Sequence, residues 1–441
     1  TTVYVHDTDT HTYGTTQGTS FSSPIVAGLA ALAWSANPGY NYNQVFNLLV
    51  DNCDNIDAAN PAYIGQLGGG RANILKALGD DVHQYPSEFP TLYDALNSAS
   101  VGDIIAMKGG ESLAGPLDIP GKGLRIWGGY DGSYASRDPE GNPTVVQGAL
   151  NFPAVRFQGD VTPSTEFDGF LIQGGGGQQS AGIPYSGRYG GGIMLNGESP
   201  TLRNLEITGN FVGDSSTLGM GGGIAMHDAS PVLENVHIHG NTGTYGAGIF
   251  MNDSSPTMID CVIENNIPVT DNPSYPPRGG GMHLVDSSVD MTDCDITGHT
   301  DLDQGGGIFG SAIDTAPILF MTRGSISGNT AAGGGAGMFI SDGEISLSSV
   351  TVNDNVMSPA ATFMYGGGIH AVGTIALVDS LKASGNSAHI GAAVHLADGS
   401  LANISGSVLH GNNALLWGGG LHLSNIAGGT LEGNTVADNA G

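Results

Sequence analysis

Ser20 stands at the head of a run of small and apolar residues, Thr19 to Ala36, that reads TSFSSPIVAGLAALAWSA and suits a helix packed on most sides. A serine at a helix start has two possible uses. Its hydroxyl can cap the helix by accepting a backbone N–H bond. It can also serve as a nucleophile, because the unpaired N–H groups and the positive end of the dipole stabilise an oxyanion formed beside it. Pro24 falls within about the first turn, where a missing N–H is tolerated. Nucleophilic use needs a base, since an unassisted serine is an ordinary alcohol. Only nineteen residues precede Ser20, and the histidines among them, His6 and His11, sit in a stretch that reads as strand and loop.

A second set of reactive types lies further on. Asp286, Asp290, Asp293 and Asp295, followed by Asp301 and Asp303, form the densest carboxylate group, with Asp293 and Asp295 alternating onto one face of a strand. Paired carboxylates could cleave a glycosidic bond by acid–base chemistry. Equivalent positions in neighbouring repeats hold Asn or Ser, however, and Arg278 is the one basic residue nearby. A solvated acidic loop is the reading that fits. His227, His237, His239, His283, His370, His395 and His422 recur beside turns and strands without the H-x-x-x-H helical spacing of a zinc site, and read as surface and turn decoration.

The elements that must position these residues are repeats. A glycine-rich tetrad leads nine times into an apolar anchor: Ile193, Ile224, Ile249, Met282, Ile308, Met338, Ile369, Val394 and Leu421. The anchors span 228 residues in eight intervals, a mean of 28.5. Between them runs an alternating apolar strand that closes on Asn210, Asn241, Asn266, Asn329, Asn355, Asn386, Asn412 or Asn439, with His299 in one copy. Two short strands per unit predict a coil whose strands pair with their equivalents above and below, and an asparagine ladder at the closing turn. The same register places Cys261 and Cys294 side by side one coil apart, as a thiol pair rather than a disulfide. Phe89 to Leu96 reads as an amphipathic helix covering the first coil, and Val101 to Met107 as its first strand.

Composition agrees. The chain has 441 residues, 73 of them glycine, with 12% charged and 7% aromatic side chains. A net charge of −29 leaves no basic stripe for phosphates, so nucleic acid is excluded as a partner. No apolar run is long enough to span a bilayer. Three cysteines make no disulfide framework. The chain starts at Thr1 and stops inside a repeat at Gly441, which reads as a fragment lacking both ends.

Gly18-Thr19-Ser20-Phe21-Ser22-Ser23-Pro24-Ile25-Val26-Ala27-Gly28 closely resembles the nucleophile motif of the subtilisin-like peptidases, G-T-S-x-[SA]-x-P-x-V-A-G. Phe21 and Ile25 depart from residues often seen there, at positions that carry no chemistry. The downstream order is also similar: a helix from Tyr42 to Cys53, then Gly68 to Ile74 as a glycine-led strand and short helix. Upstream, Thr12-Tyr13-Gly14 stands where the family has the strand and turn that feed the nucleophile. The resemblance implies that Ser20 is the nucleophile, flanked by motif residues Gly18, Thr19 and Pro24, with its own N–H forming half of the oxyanion hole. It also implies an Asp, a His and an oxyanion Asn upstream of Thr1, so this polypeptide by itself is expected to be inactive. The repeats resemble right-handed parallel β-helices of the pectin-lyase-like group and the GGGI repeats of polymorphic outer-membrane proteins.

The expected fold class is therefore mainly β: a right-handed parallel β-helix over 81–441, preceded by a fragment of an α/β subtilisin-like domain over 1–80. The expected function is that of a secreted or cell-surface serine endopeptidase, acting on a protein or peptide substrate. Its β-helix would bind substrate, a polysaccharide or a cell-surface ligand. Two alternatives stand beside it: an adhesin with a degenerate protease part, and a polysaccharide-active β-helix enzyme. No cofactor is implied, and no residue pattern specifies calcium or another metal.

Overall fold

The structure, a computed structural model, describes residues 3–6, 13–16, 19–57, 59–79, 81–180, 185–271, 274–300, 302–358 and 364–441; the side chains of 3–6, 13–16, 19–21, 75 and 180 lie outside that description. These residues form two compact units, Thr1–His83 with Gly102–Ile104, and Gln84–Val101 with Ile105–Gly441.

In the first unit, β1 (Val3–His6) pairs antiparallel with β2 (Tyr13–Thr16). Helix α1 spans Thr19–Ala36, the full length of the small and apolar run. Helix α2 (Tyr42–Asp51) opens on a capping box, in which the Asn41 side chain accepts from the Gln44 backbone and the Gln44 side chain from Asn41. It ends two residues short of the expected Cys53. The glycine-led strand expected at Gly68–Ile74 does not form. Arg71 makes only an isolated antiparallel bridge with Asp54 before helix α3 (Ile74–Ala77) begins. Gly70 explains the difference: its φ is +106°, and a Cβ there would stand 2.1 Å from the Asp54 carbonyl oxygen. Ala33, Val45, Leu49 and Ala77 form the small core of this unit.

The second unit begins with helix α4 (Leu92–Ser98), capped by the Thr91 hydroxyl accepting from the Asp94 N–H. Leu92, Ala95 and Leu96 of α4 join the main core, as the amphipathic pattern predicts. Lys122 donates to the Leu96 and Asn97 carbonyls at its C-terminus. The rest is a parallel solenoid. Its backbone is an eleven-stranded sheet in which all nine anchors stack in register, Ile193 on Ile224, Ile224 on Ile249, and so on to Leu421. Two further strands, headed by Leu117 and Val155, extend it below the first tetrad. Every anchor from Ile193 to Val394 is buried.

Each coil carries more strand than the sequence pattern showed. A third set of short strands, including Thr330–Gly334, Ser387–Ile390 and Asn413–Trp417, forms its own five-stranded sheet. The long alternating limb also bends in mid-course, where Asn204, Asn235, Asp260 and Asp293 adopt φ of 47°, 54°, 52° and 54°. Asn and Asp enter this left-handed region at least cost among residues with a side chain. At the tetrads the constraint is contact as well: a Cβ on Gly222 would lie 2.5 Å from the Thr242 and Ala247 carbonyl oxygens.

The closing asparagines form an internal ladder. Asn329 Nδ2 donates to Asn355 Oδ1 at 3.0 Å, and Asn355 Nδ2 to Asn386 Oδ1 at 3.0 Å. The second amide hydrogen returns to a carbonyl one coil back, from Asn355 to Ile326 O at 2.9 Å. His299 fills the one odd rung. Its Nδ1 lies 2.9 Å from Asn329 Oδ1 and must donate, and its Nε2 accepts from Asn266 Nδ2 at 3.2 Å. Cys261 and Cys294 are free, buried neighbours, set side by side by the register that pairs Ile259 with Thr292 and Val262 with Asp295.

Two outcomes follow from this packing. Asn355→Ala orphans the Asn329 backbone N–H and one Asn329 amide hydrogen, and is expected to cost roughly 3 kcal/mol. Urea denaturation of the variant checks this, and a midpoint equal to the parent's would refute it. Thiol titration is expected to count three free thiols in the unfolded chain. In the folded chain only the half-buried Cys53 should react promptly. Contact with Cys294, followed by burial, raises the Cys261 thiol well above its ordinary range and keeps it unreactive.

Candidate functional sites

Helix α1 places Ser20 at its second position and Pro24 in its second turn. Thr19 is its first residue. Gly18 and His11 lie outside the described residues, as do the side chains of Thr19, Ser20 and His6; the His6 backbone is in β1. The helix is apolar nearly all round, yet Ile25, Val26, Leu32 and Trp34 are 40%, 45%, 51% and 44% exposed. A helix of this composition is ordinarily covered on every side. Nearby, Asp54 gathers Arg71, Lys76 and Asn73. Partial burial, the largest influence on its carboxyl, pushes the pKa up, but the hydrogen bonds from Asn73, Arg71 and Lys76 together carry it below its ordinary value. This is a tie between α2 and α3, not a reacting group.

The acidic group of the solenoid does not converge. Asp286 accepts from the backbone N–H groups of Ile313, Asp314 and Thr315 and shapes that loop. Asp293 pairs with Arg323 of the next coil, a partner the linear pattern did not offer, and Asp295 accepts from the Ser325 hydroxyl. Asp301 is outside the described residues. Among the described residues no group of three or more His, Cys, Asp or Glu side chains could hold a metal ion.

Sequence reasoning missed a polar cavity of about 260 Å³ beside Glu140, Asn204, Glu206, Asn235 and His237. Here the His237 and His239 rings stack at 4.2 Å, and each Nε2 meets a carboxylate of an adjacent coil, Glu264 at 2.9 Å and Glu206 at 3.0 Å. Beside them Arg137 and Asn204 both donate to Asp168. The only signal for these pairings was position in the repeat, and it emerges once the coils are stacked.

The histidines that follow the anchors correct the surface reading. His283, His370 and His395 are 2%, 7% and 3% exposed. They point out of the main core, but the glycine-rich limb of each coil folds over them and builds a second, outer core. Its rings form a ladder: His283 on Phe309 at 4.7 Å, Phe309 on Phe339 at 5.4 Å, Phe339 on His370 at 5.0 Å, then His370 on His395 and His395 on His422. Burial is the chief cause that holds the His283, His370 and His395 imidazoles neutral. It takes His283 to about 3, helped by Arg278, and His370 to about 3, helped by His395. His395 falls to about 4, helped by His422, and the ladder residue His299 to about 4 against the bond to Asn329.

Comparison with known proteins finds a separate family match in each of two stretches of the chain. Residues 2–71 match the subtilase family, and residues 168–315 match the family described as right handed beta helix region. No curated protein matches the chain. Among solved structures, that of Yersinia enterocolitica family 28 exopolygalacturonase is similar at 9% identity with a TM-score of 0.28, covering 84% of this chain and 79% of that one. The chain thus combines a subtilase segment with a right-handed parallel β-helix.

The depressed histidines fix a pH dependence. As pH falls below about 6.5 the unfolded chain takes up protons that the folded chain refuses until about 4, so stability is intact above that window and lost through it. His299→Asn restores a uniform ladder and removes one such group. Its thermal midpoint is expected to fall less steeply than the parent's between pH 7 and pH 4. Parallel curves for the two proteins would count against this account of His299.

Proposed function

We propose that the chain is the nucleophile-bearing part of a secreted or cell-surface serine endopeptidase, joined to a β-helix that works as a binding module. One observation carries the reading: Ser20 lies in the first turn of α1, inside the segment that matches the subtilase family. The exposed apolar flanks of α1 support it, because they call for a larger domain packed around this helix. Peptide hydrolysis would pass through an acyl-enzyme on Ser20, with base, orienting carboxylate and second oxyanion donor supplied by sequence upstream of Thr1. For the β-helix, binding is favoured over catalysis because Asp286, Asp293 and Asp295 are each engaged by a different partner.

Fluorophosphonate labelling tests the peptidase reading. The 441-residue chain is expected to stay unlabelled. The polypeptide extended upstream to include the Asp, His and Asn motifs is expected to be labelled at Ser20 and to cleave casein, and Ser20→Ala should abolish both. An extended polypeptide with all three motifs that takes up no label would overturn the proposal.

A further inference from the structure

Cys261 and Cys294 belong to none of the sites described above, yet both are 0% exposed inside the main core. Strands pair below and above them, Leu233 with Met258 and Met291 with Met321, so their burial owes nothing to a chain end. Their settings repeat closely. Cys261 Sγ lies 3.3 Å from Ile259 O and 3.6 Å from Leu233 O, and Cys294 Sγ lies 3.4 Å from Thr292 O and 3.5 Å from Met258 O. The register equates Ile259 with Thr292 and Leu233 with Met258. The two side chains therefore point the same way, and their sulfurs are offset by one strand spacing, about 4.8 Å.

That offset decides what can join them. A disulfide needs sulfurs about 2.05 Å apart and Cβ atoms about 3.8 Å apart, which side chains stacked in parallel do not offer. Two collinear metal–thiolate bonds of about 2.3 Å span about 4.6 Å, close to the separation present. Charge and coordination number then select the ion. Zinc takes four ligands, and among the described residues no group of three or more His, Cys, Asp or Glu side chains is placed to supply them. A soft monovalent ion such as Cu⁺ between two thiolates leaves a net negative charge in an apolar core, at high cost. Trivalent arsenic holds two thiolates at a bent angle, which requires the sulfurs to draw together. A soft divalent ion that favours two collinear thiolates leaves a neutral complex and moves neither strand. The mercuric ion has that chemistry.

We infer that Cys261 and Cys294 form a two-coordinate site for Hg²⁺ within the core of the solenoid. Each thiol gives up its proton to solvent and forms one Hg–S bond, so that one Hg²⁺ and two thiols yield a neutral bis-thiolate and two protons. Neighbouring coils must part briefly to admit the ion, so uptake by the folded chain is slow. Neither the peptidase chemistry of Ser20 nor a ligand on the outer face of the β-helix enters this inference.

The test uses the 441-residue chain carrying Cys53→Ser, which removes the one half-buried thiol. After overnight incubation with Hg²⁺, the chain passes through gel filtration in free cysteine at about tenfold excess over protein. One ion per chain is expected to remain, at unchanged elution volume. X-ray absorption at the mercury edge is expected to show two sulfur neighbours at about 2.3 Å and no others. Cys294→Ala in the same background leaves a single thiol and should weaken retention by about 100-fold or more. The absorption result rests on the Cys53→Ser chain alone, so the test survives a Cys294→Ala chain that fails to fold. Loss of the ion to free cysteine, a third ligand in the absorption spectrum, or equal retention by a folded Cys294→Ala chain would overturn the proposal.

Discussion

A buried carboxamide brings two donors and an acceptor into a place where water cannot serve them, and in this solenoid the partner that satisfies it is nearly always the same residue one coil away. Asn241, Asn329, Asn355, Asn386 and Asn412 are all almost wholly buried, and each both gives and receives along the ladder. The carboxamide oxygen also takes the backbone N–H of the preceding rung, as Asn386 Oδ1 does from Asn355. Side chain and main chain are therefore locked to one register. A slip by one residue would turn every anchor outward and strip the ladder at once. Coil lengths can vary because segments such as 312–317 bulge at the corners while the ladder keeps its pitch.

That fixed register has a second effect on the far side of the anchor sheet. Residues directly after the anchors alternate outward, and stacking brings them ring over ring. The limb carrying the tetrads closes over them, so one sheet is sandwiched between an inner aliphatic core and an outer core rich in rings. Histidine enters this outer layer as a flat, uncharged ring. Its polar atoms are tolerated rather than used there: both ring nitrogens of His395 and Nδ1 of His283 and of His370 have no hydrogen-bond partner.

Much of this was legible in the sequence, because the determinants are periodic along the chain. Anchors, closing asparagines and the Cys261–Cys294 neighbourhood all follow from aligning repeats, and α1 follows from an unbroken run of small and apolar residues. What was hidden depends on folding one limb over another. His283, His370 and His395 look like surface residues until the glycine limb covers them. The short third strands read as turns because Gly, Ala and Ser show little alternation. Arg323 sits thirty residues from Asp293 and becomes its partner only through the stack. At Ser20 the motif identified the residue type and its helix, but local spacing says nothing about a base that must come from distant chain.

Because the strands lie across the axis, the hydrogen bonds that join coils point along it. Tension applied between the two ends of the solenoid would load those bonds one rung at a time, as a zipper is loaded, rather than all together in shear. Each coil that peels away frees a segment of about 28 residues, and thus on the order of 90 Å of slack, before the next rung bears the pull. The β-helix is thereby a graded extensible element, yielding in nearly equal steps while the coils still stacked keep their shape.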